Sequence, residues 1–309
     1  MISSTKNPRI VEARKLAQRK HRLRQNCFLV EGLQLLGMAL QARTVPALRA
    51  RIIPRQVFYS EALFAGAMAP QLLAQLVEAG AEASAVAPQV LNALSERDHS
   101  QGLTATFALR ELEWSLHELD LAGPANIETA ETESTTSELT APGSLILVLD
   151  QLQDPGNLGT LIRTADAVGA RAVILLEPCV DPFDPKTVRG TMGSLFNVPF
   201  ARTKNVEEAL SYLTGANYRL IGADASRGHL AWQSEALVGP VALVLGNEAH
   251  GLTPALRQCL HDFVSLPLRG QAESLNVSVA GGVLMYEWLR MNALSASQQE
   301  SEHSNENYN

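Results

Sequence analysis

The sequence predicts two α/β units separated by an acidic segment, and three observations carry that prediction. Residues 145–170, LILVLDQLQDPGNLGTLIRTADAVGA, pass from an apolar β-branched and leucine run ending at Asp150 through a Gly/Pro-broken polar loop. They then enter a helical pattern that stops at Gly169. This is the strand–loop–helix unit of a parallel sheet. Apolar β-type runs alternate with helical patterns in both halves of the chain, as α/β architecture requires. Residues 118–143 hold six acids and no Lys or Arg among many Thr, Ser, Ala and Pro, a composition with too little apolar surface to order itself. The expected division is a small sandwich over 1–112, a flexible acidic linker over 113–143, a larger domain over 144–293 and a disordered tail over 294–309.

In the first unit, residues 1–24 carry Lys6, Arg9, Arg14, Lys15, Arg19, Lys20, Arg22 and Arg24 on a thin apolar stripe of Ile10, Leu16 and Leu23. They read as a short surface helix, with Ser4, Thr5 and Asn7 before Pro8 as start signals. CFLVEG (27–32) is a strand stopped by Gly32, and a helix follows over 33–42. Strands are expected at 57–60, 81–86 and 103–109, and helices at 70–79 and 88–96. His99, Ser100, Gln101 and Gly102 form the turn before the last strand.

The larger unit has a cleaner rhythm. Strands are expected at 145–150, 172–177, 197–201, 218–223, 241–246 and 262–267. Helices are expected at 159–169, 185–194, 205–214, 253–260 and 274–292.

Composition narrows the partners. The chain has 309 residues, 46% hydrophobic and 18% charged, enough for an ordinary core, and no apolar run approaches the ~20 residues of a membrane span. Residues 1–26 lack the apolar region of a signal peptide; they are basic like a transit peptide but not Ser-rich, so a cytoplasmic protein is expected. Cys27, Cys179 and Cys259 lie far apart with no metal-ligand spacing, so reduced thiols and no metal are expected. The net charge of −7 hides an asymmetry. Residues 1–55 hold twelve Lys/Arg against two Glu, a net of +10, and the remainder holds 13 against 30, a net of −17. A basic block on an acidic chain is either a solvated helix face or the docking surface of a polyanion.

Three loops carry the polar information. They are Asn157-x-Gly159-x-x-x-Arg163, the strand-to-loop VALVLGNEAHGL (241–252) with Gly246, Asn247 and Glu248, and AESLNVSVAGGVLMYEWLR (272–290) with Ser274, Asn276 and Ser278 at a helix start. Open α/β sheets bind ligands at the carboxyl ends of their strands. Gly246 allows close approach of backbone to a ligand. No G-x-G-x-x-G or G-x-x-x-x-G-K-[ST] spacing occurs, which disfavours dinucleotides and nucleoside triphosphates but not a smaller nucleoside. Each loop also has an ordinary reading: Ser274 and Asn276 as helix caps, Glu248 paired with an arginine, Arg163 as an exposed helical residue. Spacing alone gives a ligand-binding α/β domain.

Taken together and in this order, DPGNLGTLIRTADAVGA, VLGNEAHGL and SLNVSVAGGVLMYE resemble the three signature motifs of the SpoU/TrmH-type RNA ribose 2′-O-methyltransferases of the SPOUT superfamily. KTVRGTMGSLFNVPF (186–200) is similar to that family's intervening segment. TKNPRIVEARKL and FLVEG resemble its L30e-like RNA-binding domain. The resemblance implies a trefoil-knotted carboxy-terminal domain, S-adenosylmethionine as methyl donor and a homodimer. It also implies structured RNA as substrate, ribosomal rather than transfer RNA, with a tRNA enzyme or a non-catalytic ribosome-assembly factor as alternatives. Carried onto this sequence, it places the cofactor at Gly246, Asn247, Leu266, Leu275, Asn276 and Ser278. The reaction falls to Asn157, Arg163, Glu248, Ser274 and Asn276, with Arg163 completing the partner's site. A guanidinium stays protonated in proteins, so the expected part of Arg163 is to clamp a phosphate and stabilise developing alkoxide charge. The eight amino-terminal cations would hold the RNA backbone. Phe28 and Tyr59 are expected in the core rather than as base platforms.

Overall fold

The computed structural model describes residues 1–95, 100–119, 121 and 144–306, with 294–306 described as backbone alone. Its elements fall into two compact units, each discontinuous in sequence: Met1–Trp114 with Asp181–Asn197, and Ser115–Val180 with Val198–Asn309.

The first unit contains Pro8–Lys15 (α1), Arg19–Gln25 (α2), Cys27–Glu31 (β1), Leu33–Ala42 (α3), Pro46–Arg49 (α4), Pro54–Tyr59 (β2), Met68–Glu78 (α5), Glu82–Ala85 (β3), Pro88–Asn92 (α6) and Leu103–Ala108 (β4). Its sheet order is β1-β4-β2-β3. β4 is antiparallel to both neighbours, with Phe28 opposite Phe107, and β2 and β3 are parallel. One sheet face meets α1 and α6: Phe58 packs there with Ile10, Ala13, Val90 and Leu91. The other carries Phe28 and Phe107, which the segment 181–197 covers. Phe28 lies 4.8 Å from Phe183 and 6.1 Å from Phe196, ring centre to centre. Of the two aromatics expected in the core, Phe28 is fully buried and Tyr59 is only partly buried.

The second unit contains Leu145–Asp150 (β5), Pro155–Ala167 (α7), Ala172–Leu176 (β6), Phe200–Thr203 (β7), Val206–Gly215 (α9), Arg219–Ala223 (β8), His229–Leu230 (β9), Val241–Leu245 (β10), Pro254–Cys259 (α10), Asp262–Ser265 (β11) and Val277–Glu306 (α11); Pro185–Gly190 (α8) belongs to the first unit. The sheet runs β7-β6-β5-β10-β8-β11-β9 and every pairing is parallel. β5, β6 and β10 are buried at every position, as central strands covered on both faces must be. Gly281 seats α11 against the sheet: a Cβ there would stand 2.6 Å from both Leu161 and Leu245.

Several boundaries differ from expectation. α7 begins at Pro155 instead of 159, because Asp154 caps it by accepting from Asn157 N at 2.8 Å and proline suits the first helical position. α11 begins at Val277 instead of 274, and its backbone stays helical to Glu306 within the segment expected as a disordered tail. Residues 1–24 form two helices, and α6 ends at Asn92. The short α4 and β9 had no counterpart in the sequence reading. Within the expected linker, Leu116, Leu119 and Leu121 are buried, and Tyr212 Oη donates to the Leu119 carbonyl at 3.0 Å. Asp120, 122–143, part of the 99–102 turn and 307–309 lie outside the described residues.

Candidate functional site

A cavity of about 420 Å³ opens at the carboxyl ends of β8, β10 and β11, roofed by residues 274–277 and the start of α11. That volume lies within the ~300–1,000 Å³ of small-molecule sites. Apolar walls come from Leu245, Leu266, Leu268 and Leu275, and polar ones from Asp224, Ser226, Asn247, Ser274 and Arg257. Of the expected cofactor residues, Gly246, Asn247, Leu266, Leu275 and Asn276 line it, as do the expected reaction residues Glu248 and Ser274.

Ser278 does not line it. Its hydroxyl donates to Asn276 Oδ1 at 2.6 Å, so its part is to hold Asn276. Gly246 also acts differently from expectation. A Cβ there would stand 2.2 Å from Gly251 C and 2.3 Å from Leu252 N. The glycine admits the chain's own 251–252 backbone, which no side chain could do. The tight loop between is closed by paired bonds between Asn247 and Gly251, each 2.9 Å. Asn247 Oδ1 accepts from Ala249 N and His250 N, and its Nδ2 donates to Gln151 O at 2.8 Å.

The three polar loops are tied into one chain of hydrogen bonds. Glu248 Oε1 accepts from Asp154 N at 3.0 Å and from Asn157 Nδ2 at 3.1 Å, and Oε2 accepts from Gln153 N at 3.1 Å. Asn157 Oδ1 in turn accepts from Asn276 Nδ2 at 3.0 Å. Asn276 Oδ1 accepts from Ser278 N and Val279 N, capping α11. Partial burial acts to raise the Glu248 pKa, but the bonds from Asn157, Asp154 and Gln153 outweigh it, so the carboxyl sits below the ordinary glutamate value. It is an ionised clamp whose oxygens are engaged, not a proton acceptor waiting for substrate. Asn157, expected among the reaction residues, links Glu248 to Asn276.

Arg163 stands apart. It is exposed on α7, does not line the cavity, and its side chain makes no ion pair or hydrogen bond among the described residues. On the neighbouring helix, Gly282 faces Thr164, and Val279, Val283 and Tyr286 form an exposed apolar stripe.

Sequence reasoning missed Asp224, Ser226 and Arg257. Asp224 directly follows β8, so its place after the expected strand 218–223 was the available signal. No group of three or more potential metal-ligating side chains occurs among the described residues.

The eight amino-terminal cations divide. Arg22 is a correction: it is 2% exposed, with Nη1 donating to the Leu16 and Ala17 carbonyls and Nη2 bound to Asp181 at 2.9 Å. It fastens 181–197 to α2 and cannot reach a phosphate. Arg19 stands 3.8 Å from the same carboxylate. Arg9 pairs with Glu82, and Lys15 and Arg24 pair with Glu12. Lys6, Arg14 and Lys20 are exposed without ion pairs among the described residues.

Comparison with known proteins gives this arrangement a family. The profile described as SpoU rRNA Methylase family matches residues 144–286, and that of an MRM3-like substrate binding domain matches residues 7–105. The 23S rRNA (guanosine(2553)-2′-O)-methyltransferase RlmP of Bacillus subtilis is 30% identical over 92% of this chain and 97% of its own. The 23S rRNA (guanosine-2′-O-)-methyltransferase RlmB of Yersinia pestis is 33% identical over 73% of this chain and 85% of its own. Among solved structures, an AdoMet-bound rRNA methyltransferase from Sinorhizobium meliloti superposes with a TM-score of 0.75 at 30% identity, covering 94% of this chain and 97% of that one. The chain belongs to the SpoU rRNA methylase family.

Proposed function

We propose that the protein transfers a methyl group from S-adenosylmethionine to a ribose 2′-hydroxyl of 23S ribosomal RNA. The observation that carries this is the joining of three loops at one cavity through Glu248, Asn157 and Asn276, with Arg163 left unspent. The cavity suits the cofactor: leucine walls for a purine, peptide groups of 246–249 along one side, and the polar side chains of Ser226 and Ser274. When bound, S-adenosylmethionine supplies an electrophilic methyl on a sulfonium.

The chain's own residues position the nucleophile. A 2′-hydroxyl is weak, so catalysis rests on placing it and on stabilising its developing charge. Arg163 holds the adjacent phosphate and that charge, and Ser274 at the cavity wall is placed to meet the hydroxyl. Asn157, Glu248 and Asn276 keep the loops in register. The exposed stripe of Val279, Val283 and Tyr286, on the helix next to Arg163, supports a homodimer in which Arg163 serves the partner's cavity. Lys6, Arg14 and Lys20 supply the backbone contacts of the RNA-binding unit.

The test uses 23S rRNA from a strain lacking the gene, purified protein and S-adenosylmethionine, with nucleosides analysed after digestion. A 2′-O-methyl nucleoside appears with wild-type protein, while Arg163→Ala loses at least about 100-fold in rate, the scale of a lost charge-stabilising donor. Its affinity for S-adenosylhomocysteine stays within about twofold. Methylation of tRNA alone, or cofactor binding without methylation of either RNA, refutes the rRNA assignment; near-wild-type turnover by Arg163→Ala refutes the role given to that residue.

A further inference from the structure

A second cavity, of about 580 Å³, lies in the first unit between α1 and the sheet. Strand register builds its floor. Thr106 on β4 stands opposite Gln56 on β2, and Gln56 pairs with Glu82 on β3, so three polar residues form one row across the sheet. Directly opposed residues of antiparallel strands share a face, with Cβ atoms about 5 Å apart. The β2 register shifts at Arg55, and both Arg55 and Gln56 line the cavity, as a bulge permits. Thr106 is 2% exposed, yet its hydroxyl makes no hydrogen bond among the described residues. Unlike the sealed Thr104 hydroxyl, it is open to the cavity. The Gln56 amide and the Cys27 thiol, which also line it, have no hydrogen-bond partners among the described residues. Burial pushes the Cys27 thiol up, against the pull of Arg55, so it stands there as a neutral S–H.

Charge selects the ligand. Each ionic group lining the cavity already has a partner: Arg9 with Glu82 at 2.6 Å, Arg55 with Glu111 at 3.3 Å, and Glu12 with Lys15 and Arg24. A phosphate inside would gain no net attraction and would face the Glu12 and Glu82 carboxylates. A neutral planar group with donors and acceptors along its edge fits instead. It would meet a hydroxyl, an amide and a thiol, with apolar walls from Pro8, Ala13 and Leu16. The flanks have the opposite character. Lys6 and Arg14, exposed and without ion pairs among the described residues, adjoin in sequence the lining residues Pro8 and Ala13. A neutral pocket flanked by unspent cations suits a base inside and backbone phosphates outside. Proteins read single-stranded RNA loops by that division, phosphate contacts for position and base edges for identity.

We infer that this cavity receives an unstacked nucleobase of the RNA substrate, whose edge hydrogen-bonds to Thr106 and Gln56. The inference rests on the RNA reading above and adds to it a site of base recognition in the first unit, separate from the backbone contacts of Lys6, Arg14 and Lys20.

Binding of 23S rRNA from the strain lacking the gene tests it in the full chain. Thr106→Val and Gln56→Leu keep side-chain volume and remove hydrogen-bonding groups that hold nothing in the fold. The double variant binds this RNA about 10- to 100-fold more weakly, the scale of two hydrogen bonds whose partners on the base are left unpaired. Its slope of log affinity against log salt stays that of wild type, since no phosphate contact is lost. Its affinity for S-adenosylhomocysteine is also unchanged, and Thr106→Ser, which keeps the hydroxyl, binds the RNA as wild type does. Undiminished RNA affinity of the double variant overturns the inference. So does a weakening accompanied by a lower salt slope, which marks a phosphate contact, or equal weakening by Thr106→Ser and Thr106→Val, which marks a structural role. Alkylation of wild-type protein decides the matter even if the variants fold poorly: saturating 23S rRNA slows modification of Cys27, and a Cys27 rate unchanged by the RNA overturns the inference. No binding of 23S rRNA to wild-type protein instead overturns the rRNA reading, and the inference with it.

Discussion

The two units spend their polar side chains in opposite ways. In the first, cations outnumber their partners and are rationed: Arg22 is buried in a structural pair, Arg9, Lys15 and Arg24 lean on surface carboxylates, and Lys6, Arg14 and Lys20 stay exposed. In the second, Asn157, Glu248 and Asn276 satisfy one another, and the exposed charge beside them is Arg163. The comparison teaches that a charged residue in a motif is not equivalent to an available one. Function falls to groups whose hydrogen-bonding capacity the fold has left over.

The largest effect that tests this contrast belongs to the buried pair. Asp181→Ala leaves the Arg22 guanidinium buried and uncompensated, and is expected to cost about 3–5 kcal/mol, read as a fall in the denaturant midpoint. A loss under about 1 kcal/mol would mean that Arg22 is not committed to structure. Next comes the free trio. Lys6→Ala, Arg14→Ala and Lys20→Ala together should lower the slope of log affinity for RNA against log salt by up to about 3, one for each phosphate contact. The matched set at Arg9, Lys15 and Arg24 should lower it less. Equal slopes for the two sets would erase the distinction between spent and unspent cations.

The smallest effect concerns Glu248. Its folded-state pKa is depressed, so the stability it contributes is present above the unfolded glutamate value and is lost as pH falls through the lower folded value. Thermal midpoints of wild type and Glu248→Gln should differ near neutrality and converge in acid below the ordinary glutamate range. A gap that persists at the acid end would show that its hydrogen bonds do not depend on ionisation.

The sequence made the parallel sheet legible because its central strands are continuous apolar runs, LILVLD and VALVL, that need cover on both faces. The start of α7 was misread because Pro155 and Gly156 look like loop punctuation, whereas proline at a first helical position opens a helix. Which loops meet at the cavity was legible through motif order, but the bonding of their residues was not. Asn157 meets Glu248 across 91 residues and Asn276 across 119, and no local pattern encodes such pairings. Arg22 shows the same limit: within a run of cations, nothing local marks the one that Asp181, 159 residues away, will bury.

The lending of residues 181–197 to the first unit bears on how the chain is made. When Trp114 leaves the ribosome, Phe28 and Phe107 still lack the aromatic cover that Phe183 and Phe196 provide. Roughly 80 further residues must follow, and synthesis at about 5–20 residues per second takes roughly 4–16 s. Through that interval Phe28 and Phe107 are without the ring contacts that complete their face of the sheet. Its completion is timed by translation of the other half of the protein.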